Sequence, residues 1–340
     1  MKGPVLVTGA AGFIGFHTTR RLLARGEDVI GLDNLDPYYD VALKEARLAQ
    51  LRAHERYLHL DLDIADRTAM QAMFERHAPR RIVHLAAQAG VRYSLRNPEA
   101  YVDSNLVGFL SVLEGCRAVG AEHLVYASTS SVFGANEALP FSVRQGVAHP
   151  ITLYAATKLA NEAMAHAYAH LYGFPCTGLR FFTVYGPWGR PDMAPSTFAQ
   201  AILDGRPIEV FGEGRMQRDF TYVDDIVDGV VAALDRPAVI DPAWNGQAPD
   251  PSTSGVAPWR VLNIGAGARV DLMRFIALLE QNLGRKATLA FLPAPPGDVP
   301  FTEADIAETT AALGYRPTTS LEDGVAAFAD WFKRWHARGA

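Results

Sequence analysis

A phenol and an ammonium stand four residues apart in Tyr154-Ala155-Ala156-Thr157-Lys158. On a helix that spacing puts both on one face. A cation beside a phenol favours the phenolate and lowers its pKa. A tuned Tyr154 can then take a hydroxyl proton as a hydride leaves the same carbon, which is general acid–base catalysis. The spacing alone is common on ordinary amphipathic helices. It gains meaning from Thr129-Ser130-Ser131, which follows an apolar run at 124–128 and supplies a hydroxyl, Thr129, able to hold the reacting oxygen and relay its proton.

A hydride needs an acceptor. Thr8-Gly9-Ala10-Ala11-Gly12-Phe13-Ile14-Gly15 follows the first apolar run and opens the first helical pattern. Glycines there permit a tight turn, close backbone approach to a pyrophosphate and close helix–strand packing. A helix N-terminus adds free N–H groups and the positive end of a dipole. About twenty residues on, Asp33 ends the second apolar run, where an acid bonds adenosine ribose hydroxyls. It would repel a 2′-phosphate, and no arginine adjoins it in Asp33-Asn34-Leu35, so NAD is expected rather than NADP. Asp61, after the third run, is placed to meet the adenine amino group.

The elements that must position these groups alternate. Runs at 5–8, 28–32, 57–60, 81–85, 124–128 and 176–181 read as buried strands, and 14–24, 68–77, 101–119 and 154–171 as helices. Such alternation implies parallel strands with crossover helices, and ligand sites beyond their carboxyl ends. After Thr183 proline and glycine increase, although 223–234, 306–313 and 321–335 still read as helices. The stretch 236–258, rich in Pro, Asp, Ser and Gly, reads as a loop or a poorly ordered insertion. The expected fold is α/β: a Rossmann doubly wound parallel sheet over 1–182, joined by the helix near 223–235, with a smaller interwoven C-terminal α/β substrate domain over 183–340.

At 340 residues the chain has ample material for a large core, and a formal net charge of −5 argues against general nucleic-acid binding. Cys116 and Cys176 lie in no metal-ligand spacing and read as buried thiols, and no metal is expected. The apolar run at 5–7 leads straight into the glycine loop, leaving no room for a signal peptide. No apolar run reaches the ~18 residues of a membrane span. A cytoplasmic protein is the expectation.

With these motifs assembled, the chain resembles the extended short-chain dehydrogenases/reductases, and within them the nucleotide-sugar epimerases. The resemblance covers nearly the full length: the glycine loop, His84-Leu85-Ala86-Ala87, 127–134, Tyr154 with Lys158, Arg218-Asp219-Phe220, and Pro296-Gly297-Asp298-Val299. It implies Thr129, Tyr154 and Lys158 as the catalytic group, with Lys158 also bonding the nicotinamide ribose. It implies an NAD site from Gly9, Gly12, Phe13, Ile14, Gly15, Asp33, Asn34, Asp61, Leu62, Leu85, Ala86, Ala87, Asn105, Ser128, Tyr154 and Lys158. Asn105 resembles the family's asparagine that orders the catalytic helix. A homodimer through helices near 101–119 and 154–171 is also implied.

Three stretches, 88–94, 180–193 and 216–222, resemble the UDP-glucuronate 4-epimerases, whereas UDP-galactose 4-epimerases usually carry Asn where this chain has Thr183. Thr183, Ser130 and Ser131 can donate to a carboxylate, and Arg92 and Arg190 can pair with a carboxylate or a diphosphate. Arg218 resembles a diphosphate ligand and Asp298 a uridine-ribose ligand. Pro295 departs from the Arg or Gln of relatives. The implied reaction oxidises C4, rotates the 4-keto sugar and re-reduces it, with no net redox. Decarboxylase and dehydratase relatives carry an acid just after the catalytic threonine, where this chain has Ser130 and Ser131. A 4-epimerase of a neutral UDP-hexose or its N-acetyl form stays open, as do, with less support, a UDP-glucuronate decarboxylase and a non-catalytic NAD-binding sensor.

Overall fold

The apolar runs become strands because alternate residues bury on opposite faces of one sheet. The computed structural model describes residues 3–293, Gly297 and 299–337. Its strands β1 (Val5–Thr8), β2 (Val29–Asp33), β3 (Tyr57–Asp61), β4 (Arg81–His84), β5 (His123–Thr129) and β6 (Cys176–Phe181) are joined by a seventh, Trp259–Ile264, which the sequence reading did not include. The order across the sheet is Trp259–Ile264, β6, β5, β4, β1, β2, β3, all parallel. The chain runs from β1 outward to β3, then resumes at β4 on the other side of β1. That reversal opens a crevice at the carboxyl ends of β1 and β4.

Val5 and Val7 pack on one face with Phe16 of α1 (Phe13–Ala24) and with Ile226, Val227 and Val230 of the helix Val223–Asp235. Leu6, between them, packs on the other face with Phe74, Phe109 and Val112. This is the period-two alternation of a strand buried on both sides. Arg21–Asp228 and Arg25–Asp235 ion pairs tie α1 to Val223–Asp235.

One segment that reads as a single helix is broken in the structure. The segment read as one helix at 101–119 is a short α-turn Pro98–Tyr101, a π-helix Val102–Gly108 and an α-helix Phe109–Val119. Inside the π-helix the Asn105 carbonyl accepts the Asn161 side-chain amide at 2.6 Å, so a tertiary donor takes a helical acceptor. The stretch 236–258 has no helix or strand, but it folds on itself: Asp241 N donates to Ser254 O at 2.9 Å, Trp244 Nε1 to Asp250 O at 3.1 Å, and Ser252 N to the Asp250 carboxylate at 2.8 Å. It delivers the chain to the edge strand Trp259–Ile264.

The second layer is smaller. Strand Ile208–Phe211 pairs in parallel with Leu289–Leu292, and Thr183–Tyr185 with Phe220–Tyr222. Helices Ala194–Asp204, Leu272–Leu283 and Leu321–His336 enclose Phe198, Ile202, Phe275, Leu279, Phe328 and Trp331. No helix of the described residues is long and apolar enough to cross a membrane, and no three metal-ligating side chains converge among them.

Candidate active site

The crevice is built first by glycines. Gly9 has φ +71°, and a Cβ there would lie 2.7 Å from Ala86 N; a Cβ on Gly15 would lie 1.9 Å from Gly9 O. The β1 and β4 loops therefore touch through backbone alone. Thr8 Oγ1 accepts from Leu85 N and Ala86 N, each at 3.2 Å, so its own proton is directed to His84 Nδ1 at 2.8 Å. Burial, with the Lys158 charge behind it, holds His84 down to about 3, neutral at all ordinary pH. Gly12 caps α1 without a side-chain bond, leaving first-turn N–H groups for an anion. At the end of β2, Asp33 accepts from Ala11 N at 3.0 Å and Leu35 N at 2.9 Å, and Lys44 Nζ stands 3.8 Å away.

One cleft of about 890 Å³ runs from Asp33 and Asn34, past Gly9, Gly12, Phe13, Ile14, Gly15, Leu62, Leu85, Ala86 and Ala87, to Ser128 and the candidate catalytic group. A cradle that admits no Cβ, open N–H donors and a ribose-sized acid in line fit an extended dinucleotide. Asp61 and Asn105 are not on its lining. Asp61 is exposed at the end of β3, and Leu62, Asp63 and Ile64 face the cleft instead. Asn105 is spent on protein: it accepts from Gln88 N at 2.9 Å and donates to Gln88 O at 3.1 Å and Thr157 Oγ1 at 3.0 Å.

The helix Leu153–Tyr172 begins at Thr152, whose hydroxyl accepts from Ala155 N at 3.1 Å. It turns Tyr154 and Lys158 into the cleft beside Thr129. Lys158 Nζ donates to Ala127 O at 3.0 Å, and burial lowers it to about 8. The Tyr154 phenol is pushed up, not down. Burial is the largest influence, opposed by a hydrogen bond from Thr129 and by the charge of Arg190. The cation that lowers it within the protein is thus Arg190 rather than the neighbour four residues on. Thr129 Oγ1 also accepts from Ser131 N at 3.1 Å.

Beneath this group lies a buried network. Glu162, on the helix Leu153–Tyr172, accepts from Ser128 Oγ at 2.6 Å and from Arg180 of β6 at 2.9 and 2.8 Å. Its partners are distant in sequence, so no spacing rule finds it. Arg47 is likewise buried, donating to Ala11 O, Trp188 O and Tyr39 Oη at 2.7, 2.7 and 2.8 Å, and so ties the glycine loop to the second layer.

Past Tyr154 the cleft continues between Arg92, Ser130, Ser131, Thr183, Arg190 and Arg218. Arg190 makes a two-bond pair with Asp192 at 3.0 and 2.6 Å, and Tyr38 Oη donates to the same carboxylate at 2.8 Å. Arg92 stands over the Phe211 ring at 4.5 Å. Arg218 donates to Pro300 O at 2.9 Å. Asp298 and Pro295 lie outside the described residues. Gln88, Tyr38, Lys44 and Phe211 also line the cleft and were not singled out from sequence.

The model of the NAD dependent epimerase/dehydratase family matches residues 5–245, and the chain belongs to that family. A probable UDP-glucuronate 4-epimerase of Rhizobium meliloti is 49% identical over 336 residues, covering 98% of each chain. Among solved structures, UDP-glucuronic acid 4-epimerase from Bacillus cereus, in complex with UDP-glucuronic acid and NAD, is 33% identical with a TM-score of 0.84 over 98% of this chain and 99% of that one. UDP-glucose 4-epimerase from Thermotoga maritima, with UDP-glucose, is 29% identical with a TM-score of 0.85 over the same shares. The backbone alone therefore does not separate an acidic sugar from a neutral one.

Proposed function

We propose that this chain is a cytoplasmic, NAD-dependent UDP-glucuronate 4-epimerase, interconverting UDP-glucuronate and UDP-galacturonate. The observation that carries this reading is a buried Tyr154 that lines the cleft with Thr129, with the uncharged hydroxyls of Ser130, Ser131 and Thr183 on the same wall and no carboxylate directly after Thr129. The match to the Rhizobium meliloti and Bacillus cereus proteins supports it. The nucleotide half comprises 1–182 with Val223–Asp235 and Trp259–Ile264 returned to it, and the sugar-nucleotide half the rest of 183–340.

Gly9, Gly12, Gly15, Asp33, Asn34 and Leu85–Ala87 would hold NAD, with Lys158 near its ribose. Bound NAD would supply a hydride acceptor and donor. As the phenolate, the form favoured by the Arg190 charge, Tyr154 Oη takes the C4 hydroxyl proton while Thr129 holds the oxygen. C4 passes through a ketone, the sugar turns about its diphosphate linkage, and Tyr154 Oη returns the proton with the other face presented. Arg218 and Arg92 anchor the nucleotide end, where charge-assisted bonds are strong. The hydroxyl donors hold the sugar carboxylate without fixing the ring. They also keep a β-keto acid from the geometry that releases carbon dioxide.

A neutral UDP-hexose is the second reading, favoured by the equal fit to the Thermotoga maritima enzyme. Comparing kcat/KM for UDP-glucuronate and UDP-glucose decides. A preference of about a hundredfold or more for the uronate is expected, since a hydroxymethyl group offers one neutral acceptor oxygen where the carboxylate offers two charged ones. Parity, or preference for glucose, removes the uronate. We infer a homodimer from the exposed apolar Val102, Leu171 and Tyr172 on the 98–119 and 153–172 segments. A monomer by light scattering contradicts it.

A further inference from the structure

Gln88 is only 7% exposed, lines the cleft, and its Nε2 has no hydrogen-bond partner among the described residues. Its backbone is committed on both sides. Its N–H and its carbonyl are both bonded to the Asn105 side chain, which also bonds Thr157 between Tyr154 and Lys158. Two residues on, the Gly90 carbonyl accepts the Tyr101 hydroxyl, and the Tyr101 ring meets Tyr154 edge-on at 6.1 Å. The Gln88 main chain is therefore pinned against the helix Leu153–Tyr172.

A buried, unmade donor carries the full desolvation penalty of the group, and native proteins rarely tolerate one without a use. We infer that the Gln88 amide is a ligand-binding donor, hydrogen-bonding a ring hydroxyl at the reacting end of the cleft. Two ring systems there bear such hydroxyls, the nicotinamide ribose and the hexuronate, and the naming of those two rests on the function proposed above. Gln88 is a binding residue in this account. Its amide is neutral, so it orients an oxygen without altering the charge balance around Tyr154.

The test uses Gln88→Met, which keeps length and bulk without the donor, and Gln88→Glu, which keeps the shape and replaces donor by acceptor. Both are made in a Tyr154→Phe background so that nothing turns over during titration. Three quantities are read: NAD released per chain from the purified protein, and calorimetric affinities for UDP-glucuronate and for UDP, which lacks the sugar. An affinity for UDP-glucuronate weakened about tenfold, with UDP and NAD content unchanged, places the acceptor on the hexuronate. NAD content reduced, with both nucleotide affinities unchanged, places it on the ribose. All three within about twofold of the parent in both variants, or all three falling together as a distorted cleft would cause, overturns the inference. A parent that binds UDP but gains nothing from the glucuronate defeats the proposed function, while NAD release still reads Gln88.

Discussion

Replacing Glu162 by Gln tests whether the catalytic end of β5 is held by a buried charge pair. Glu162 and Arg180 are 4% and 1% exposed, joined by bonds of 2.9 and 2.8 Å, with Ser128 Oγ as a third donor at 2.6 Å. The guanidinium also sits 5.0 Å over the Phe133 ring, and its Nη1 already has no partner among the described residues. Glu162→Gln leaves a buried cation uncompensated, and breaking such a pair costs about 3–5 kcal/mol. Replacing both charges is far cheaper, because the desolvation penalty leaves with them. Glu162→Gln/Arg180→Met should therefore be more stable than the sum of the single losses by at least about 1 kcal/mol. Urea unfolding of the four proteins at equal NAD loading measures the cycle. A single loss under about 1 kcal/mol, or strict additivity, would refute the reasoning. Because Ser128 precedes Thr129, kcat of the single variant should fall while KM stays near the parent value.

Tyr154→Phe should lower kcat by about 10²–10⁴-fold with substrate affinity retained, and turnover within a factor of about two of the parent would remove Tyr154 from the chemistry. Gly9→Ala forces a side chain onto φ +71° and a Cβ to 2.7 Å from Ala86 N, so the purified variant should carry little NAD; a full complement would show that the loop is not the cofactor's cradle. Acid should destabilise the fold through His84 and His123, which burial holds down to about 3 and about 4 from the ordinary 6.5. Between those values the unfolded chain binds protons that the folded one refuses, so stability present above pH 6.5 is lost as pH falls, by about 2 kcal/mol per histidine at pH 5. Urea midpoints that stay flat from pH 7.5 to 5 would contradict this.

Much of the site is local in sequence and so could be read there. The glycine loop, Asp33 and Tyr154 with Lys158 each depend on spacing within one turn or one strand–helix junction. What was hidden depends on distant partners. Glu162 and Arg180 look like surface charges until β6 is placed under the catalytic helix. Gln88 looks like a loop residue until Asn105 pins its backbone. Asn105, expected at the cofactor and as the residue that orders the helix of Tyr154, bonds Gln88 and, on that helix, Thr157. The strand Trp259–Ile264 follows a proline- and glycine-rich loop, and its apolar run is too short to announce itself without β6 beside it. Tyr154 shows the limit of a pairwise rule: four-residue spacing to a lysine promised a lowered phenol, but burial outweighs the charges that reach it.

The most direct measurement is to incubate the purified protein with UDP-glucuronate, add no cofactor, and separate the sugar nucleotides while following absorbance of reduced nicotinamide. The account predicts UDP-galacturonate with no net NADH. A UDP-pentose, NADH accumulating in step with product, or no product even with added NAD would contradict it.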